Sequence, residues 1–240
     1  MNLDVFRLLV KLRFGRYSIN DNTTLPLQDV LTQINGLDRR DYASESQLTT
    51  VVPKGDGTNS LAIAPPEGSH LAAFDFPLNR HANIQLNQRW AGFNTLSRDL
   101  ARREWDDIYI DTVNTLLHRD ERKLIIRTIA PTFSQRTVRA VVSDAFKPID
   151  DNWLVPKLVD VVGDHADKWT SLGGQLTDTN THIKFITRDP QFRLQSPDGK
   201  ARDLHIGFQY SNSEVGSGYA QFSAFLFDSY CSNGCIFGKV

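Results

Sequence analysis

Apolar positions along the chain change texture several times. Between Leu48 and Phe76, the short apolar segments LTTVVP, SLAIAP and HLAAFDF are separated by KGDGTN and PEGS. The separators are turn chemistry, because Gly and Asn accept positive φ and Pro fixes its own. Two or three short strands are predicted there. Over residues 86–118 the spacing becomes helical, with Leu96, Leu100, Trp105, Ile108, Val113 and Leu116 recurring about every three to five residues. Ser97 is placed to cap a helix with its hydroxyl. Arg98 and Arg102 then share one face a turn apart, and Asp99 and Arg103 form a candidate ion pair. Nearer the N-terminus, Phe6, Leu9 and Val10 share a helical face that Gly15 breaks, and PLQDVLTQING reads as a helix opened by Pro26 and stopped by Gly36.

Past Arg122 the pattern returns to strand. KLIIRTIAP and TVRAVVSD are β-branched segments joined by PTFSQR, and NWLVPKLVDVVGDH reads as a helix with Pro156 in its first turns. Residues 163–180 are rich in Gly, Asp, Thr and Ser and read as a loop. THIKFITRD and PQFRLQ are strands, and the PDGK turn at 197–200 closes a hairpin onto ARDLHIGFQYS. YAQFSAFLFDSYC runs to Asn233-Gly234, a two-residue hairpin signal that sets Ser232 opposite Cys235 and Cys231 opposite Ile236. Strands, a helical middle segment, then more strands with one further helix describe an α+β fold with mostly antiparallel sheet. The expectation is a single α+β domain over residues 1–240, with 1–47 as an N-terminal subregion.

Charge narrows the function classes. The 27 basic and 28 acidic side chains nearly cancel, which excludes coating of nucleic acid through bulk charge and leaves a local basic face. Of those basic residues 18 are Arg, the type suited to planar, stacking and bidentate contacts. Arg7, Lys11, Arg13 and Arg16 form one cluster near Phe14 and Tyr17; Arg98, Arg102 and Arg103 form another near Trp105. Guanidinium groups interleaved with aromatic rings suit single-stranded nucleic acid, whose phosphates pair with Arg and whose bases stack on rings; solvated helix faces are the plainer alternative. No signal-peptide core and no membrane-length apolar run is visible, so the expected setting is cytoplasmic.

Other candidate chemistry is thinner. No P-loop or dinucleotide fingerprint occurs, and no cofactor and no metal site is predicted. Asp144, Asp150 and Asp151, with Glu214, are carboxylates that a metal-dependent nuclease or hydrolase would have to bring into one pocket. Asn212 and Glu214, two apart on a strand, either present an amide and a carboxylate to a ligand or shape and cap a local turn with Gly216. Cys231 and Cys235 read as small buried hydrophobes.

The run Asn212-Ser213-Glu214-Val215-Gly216, an apolar strand, and Cys231-Ser232-Asn233-Gly234 together resemble the signature of a phage- and plasmid-associated family of unknown function (DUF932-like), with Ser232 where that family carries Thr. Val141-Val142-Ser143-Asp144-Ala145-Phe146-Lys147-Pro148-Ile149-Asp150 resembles its strand-turn segment, and Arg13-Phe14-Gly15-Arg16-Tyr17 the start of some prophage members. The specific matches span roughly residues 137–151 and 208–238. The family runs further, so its C-terminal extension is expected to be absent. The resemblance implies a mobile-element setting and supplies no catalytic residue. The leading expectation is a non-enzymatic factor of single-strand-DNA-binding or annealing type, assembling as a homo-oligomer. The alternatives are a metal-dependent nuclease or hydrolase, and an accessory protein that binds a host protein through an exposed apolar patch.

Overall fold

The computed structural model describes residues 15–17, 24–54, 58–64, 74–131, 135–195, 201–229 and 235–238. The first part of the chain holds β1 (Gly15–Tyr17), α1 (Leu27–Asn35), β2 (Leu37–Glu45), β3 (Thr49–Pro53), β4 (Asn59–Ile63) and β5 (Phe74–Pro77). Three helices follow, α2 (Arg80–Gln88), α3 (Phe93–Arg102) and α4 (Asp106–His118). Then come β6 (Lys123–Pro131), β7 (Thr137–Ser143) and α5 (Asp151–Gly163). The chain continues with β8 (Trp169–Leu176), β9 (Thr181–Thr187), β10 (Phe192–Gln195), β11 (Ala201–Asn212), β12 (Gln221–Asp228) and β13 (Cys235–Gly238). The fold is α+β, and the sheet pairings between these strands are antiparallel. Among the described residues no helix is long and apolar enough to cross a membrane.

Internal contacts group the chain into two compact units, one of Gly36–Pro148 and one of Met1–Asn35 with Ile149–Val240. In the Gly36–Pro148 unit, sheets β2-β6-β7 and β3-β4-β5 and helices α2–α4 enclose one core, which includes Leu61, Leu86, Val113, Leu117 and Ile126. The predicted helical stretch is three helices, because Gly92 (φ 77°) and Glu104 (φ 60°) sit in left-handed backbone between them. Leu100 and Val113 of the periodic set are buried, Leu116 packs on the core, and Leu96, Trp105 and Ile108 stay exposed. Ser97 lies inside α3 and caps nothing; its hydroxyl donates to the Asn94 carbonyl at 3.1 Å. The cap belongs to Asn79, whose side-chain oxygen accepts from the Ala82 N–H at 2.8 Å at the start of α2.

Asn79→Ala is expected to lower stability by about 1 kcal/mol, read as a shift of the urea midpoint with an unchanged slope.

Strand β2 carries the charged sequence LDRRDYASE, which no apolar alternation announces. It is a sheet edge on β6, and its charges pair across the ladder: Asp41 faces Arg127 in register, with the Arg127 Nε 2.9 Å from the Asp41 carboxylate. The edge of β3 is closed by a side chain. Asn114 of α4 accepts from the Val51 N–H at 2.7 Å and donates to the Val51 carbonyl at 2.9 Å, so one amide serves as a neighbouring strand would.

The second unit is built on a sheet of order β1-β13-β12-β11-β9-β8, with β10 paired to β11. Val30 and Ile34 of α1 and Val155 of α5 pack with Ile183, Phe185 and Tyr210 of the sheet. Residues 169–176 form a strand, not the predicted loop. Their small residues are what the packing requires, because a Cβ on Gly174 would lie 2.5 Å from the His182 carbonyl and 3.4 Å from Val30. Gly173, at φ 87°, sits at a register shift beside it, and Leu25 pairs with Gly174 through two backbone bonds of 2.7 and 2.9 Å. α5 runs through Pro156. β10 and β11 pair as predicted, Gln195 facing Ala201, and the PDGK turn between them lies outside the described residues. The last hairpin differs from expectation. Asp228 faces Cys235 and Phe227 faces Ile236, the position expected to face Cys231.

Candidate nucleic-acid interface

The 212–216 motif resolves into the capping alternative. Glu214 accepts the Asp151 N–H at 2.7 Å, satisfying one of the orphan donors that open α5 and placing a carboxyl group at the positive end of the helix dipole. Asn212 donates to the Ile149 carbonyl at 2.7 Å and to the Asp151 carboxylate at 2.9 Å. Ser213 donates to the Thr179 carbonyl at 2.7 Å and accepts from the Ser217 N–H at 2.9 Å. Gly216 takes the left-handed turn that follows, at φ 78°. The motif therefore ties the first turn of α5 to the β8–β9 connection.

Asp151 is the hub of this cluster. Its carboxylate is 2% exposed and accepts from the Tyr210 hydroxyl at 2.8 Å, the Thr181 hydroxyl at 2.6 Å and Asn212. Burial pushes its pKa above the ordinary value, against the pull of these hydrogen bonds, and the neighbouring Glu214 adds to the rise. Burial and the Asp151 charge likewise push the Tyr210 phenol far up, so it stays a donor.

The carboxylates proposed for a metal are not brought to one open site. Asp151 and Glu214 meet, and both hold protein hydrogen bonds; Asp150 stands at the N-cap of α5. Asp144 lines a groove of about 670 Å³ in the Gly36–Pro148 unit, walled mainly by Tyr42, Leu48, Ile63, Phe74 and Leu124. Among the described residues no group of three or more His, Cys, Asp or Glu side chains is arranged to hold a metal ion.

Of the basic clusters, Arg7, Lys11 and Arg13 lie outside the described residues, and Arg16 is placed only as a β1 backbone position facing Phe237. Cys231, Asn233 and Gly234 also lie outside them. The second cluster splits. Arg102 pairs with Asp99 at 3.8 Å, the partner expected for Arg103. Arg103 instead stacks over the exposed Trp105 ring, 5.2 Å from its centroid. Arg98 faces a cleft of about 660 Å³ within the Gly36–Pro148 unit.

Helical spacing builds this cleft. Arg80, Asn83, Ile84 and Asn87 form an i, i+3, i+4, i+7 stripe on α2, and Asn94, Ser97 and Arg98 form the matching stripe on α3. Asp106 and Tyr109 of α4 and Asn59 of β4 complete the wall. Tyr109 anchors it: its ring stacks on Phe93 at 6.1 Å, and its hydroxyl lies 2.8 Å from the Asn83 carbonyl oxygen and 3.2 Å from that of Asn87. Burial raises the Tyr109 pKa and keeps the phenol protonated. Neither Arg80 nor Arg98 forms an ion pair with a described residue. The volume is that of a small-molecule or nucleotide-sized pocket.

Sequence spacing brought Arg98 forward but missed Arg80, Asn83, Asn87, Asn94 and Asn59. Amides on amphipathic helices are ordinary surface residues until three helices converge. The recurrence of Asn at 83, 87 and 94 between Arg80 and Arg98 was the one available signal. No protein-family model, curated protein or solved structure matches the chain.

Proposed function

We propose that the protein binds single-stranded nucleic acid at the α2–α3–α4 cleft and does not cleave it. The observation that carries this reading is the pair of guanidinium groups, Arg80 and Arg98, that line a polar cleft and form no ion pair among the described residues. A cleft lined by arginines and amides recruits phosphates and base edges together. Trp105 supports it: it immediately precedes Asp106 of the cleft wall, is 45% exposed, and offers a ring already carrying the Arg103 guanidinium. The mobile-element resemblance of the 212–216 and 141–150 segments fits a DNA-handling role.

The test is fluorescence anisotropy with labelled single-stranded and duplex oligonucleotides across a salt series. Each phosphate contact on a single strand contributes a slope of about 0.7 in log affinity against log salt. Arg80→Ala/Arg98→Ala is therefore expected to lower that slope by about 1.4 and to weaken all sequences alike. Arg102→Ala, already paired with Asp99, is expected to change it little. An unchanged slope and affinity in the double variant would remove the cleft from the interface. Magnesium-dependent shortening of the oligonucleotide on a gel would favour the hydrolase reading instead.

A further inference from the structure

We infer that Asn83 reads the base in this cleft and that Tyr109 fixes what it reads: a carbonyl, not an amine, on the base edge, so that thymine and uracil are preferred to cytosine. The inference rests on the binding reading above. Tyr109 has one hydroxyl proton, and the shorter of its two contacts is to the Asn83 Oδ1, at 2.8 Å. That bond pins the amide, with its carbonyl turned to the buried phenol and its NH2 turned away. Asn83 lines the cleft, and its Nδ2 has no partner among the described residues. An amide free to flip can serve a donor or an acceptor; a pinned one offers donors alone.

Asn87 cannot share the task. It is buried, 4% exposed, and its Nδ2 donates to Ser97 within the wall at 3.4 Å. Ser97 is committed in turn to the Asn94 carbonyl. Arg80, one turn before Asn83, adds more donors and no acceptor. Asn83 and Arg80 on α2 therefore present donors to an acceptor edge, while the carboxylate of the wall, Asp106, belongs to α4. Thymine and uracil present O4 where cytosine presents an NH2, and an amide NH2 facing an amine leaves both donors unpaired.

The experiment compares labelled oligo(dT), oligo(dC) and oligo(U) of one length by anisotropy at one salt concentration. Both deoxypyrimidine strands are flexible, so stacking differences contribute little to the comparison. Wild type is expected to bind oligo(dT) roughly fivefold more tightly than oligo(dC), the equivalent of one net hydrogen bond. Comparable preference for oligo(U) would assign the shared 4-carbonyl; loss of it would assign the site to DNA. Asn83→Asp, which replaces the donor by an acceptor, is expected to reverse the dT/dC order. Tyr109→Phe keeps the ring on Phe93 but releases the amide, and is expected to bring the ratio to near one with an unchanged salt slope. A wild-type dT/dC ratio of one, or a ratio that neither variant moves, would overturn the inference while leaving the binding reading intact. Absence of binding to every strand would overturn both.

Discussion

Asp151→Ala is expected to be among the most damaging single changes in the protein, lowering stability by about 3–5 kcal/mol. Three donors converge on this carboxylate, from Tyr210, Thr181 and Asn212, and all are buried with it. A buried donor left without an acceptor costs about 1–3 kcal/mol. Asn212 retains the Ile149 carbonyl, so the total falls short of three full penalties. Asp151→Asn keeps one oxygen for Tyr210 and Asn212 and turns an NH2 toward the Thr181 hydroxyl, which can accept; about 1 kcal/mol is expected at low pH. The two variants separate loss of the hub from loss of its charge.

Their pH dependence has a definite sign. The folded state holds the Asp151 proton more tightly than the unfolded chain does, because burial raises the pKa above its ordinary 3.8. Unfolding then releases a proton, so this group's contribution to stability is fully present below the unfolded pKa. It falls as the pH rises through the folded pKa. Asp151→Asn has no such loss, so its deficit relative to wild type should shrink as the pH rises above 3.8. Urea titrations at several pH values measure it. A deficit that grows with pH would show instead that the hydrogen bonds to the ionised carboxylate outweigh its burial.

Gly174→Ala is the second large effect, about 3 kcal/mol of destabilisation from overpacking. The added methyl would meet the backbone carbonyl of His182 on the neighbouring strand at 2.5 Å, and Ile183 at 3.2 Å. A backbone atom inside a ladder cannot retreat without opening the β8–β9 pairing and the Leu25–Gly174 bridge. Gly163→Ala is the internal control. Nothing lies within 4 Å of its Cβ position at the end of α5, and the change should stabilise by about 0.5–1 kcal/mol by restricting the unfolded chain. Thermal melts of the pair should move in opposite directions. A neutral Gly174→Ala would mean that β8 yields at this point.

These two sites also mark where reading the chain from its sequence stops. The apolar strands β3, β4, β6 and β7 and helices α1 and α5 announce themselves by spacing and turn chemistry. β8 does not, because Gly173 and Gly174 are small for the sake of what packs on them, Leu25 and Val30. β2 does not, because its Asp41 answers Arg127, which lies 86 residues away in sequence. The same distance problem governs the sites. Whether Glu214 binds a ligand or caps a helix depends on Asp151, 63 residues earlier, and local sequence leaves both open. Arg98 is visible as one of a cluster, yet the structure sets it in a cleft with Arg80 and Asn83 while Arg102 pairs with Asp99 and Arg103 with Trp105. Residue chemistry was legible; the grouping was tertiary.

The capping of α5 by Glu214 has a consequence for the order in which the nascent protein acquires structure. The Asp151 N–H waits for an acceptor that is translated 63 residues later. At about 5–20 residues per second that is a delay of roughly 3–13 s. α1 waits longer, since its partners in α5 and β8 lie on the far side of the whole Gly36–Pro148 unit. That unit is continuous in sequence and can close during synthesis, cleft included. The unit that surrounds it in sequence is a late assembly, because α1 waits for α5 and β8, and the sheet that holds β8 is completed only by β9, β11 and β12. Chaperone demand and aggregation during expression should therefore track the C-terminal strands, and slower elongation before residue 149 should relieve neither.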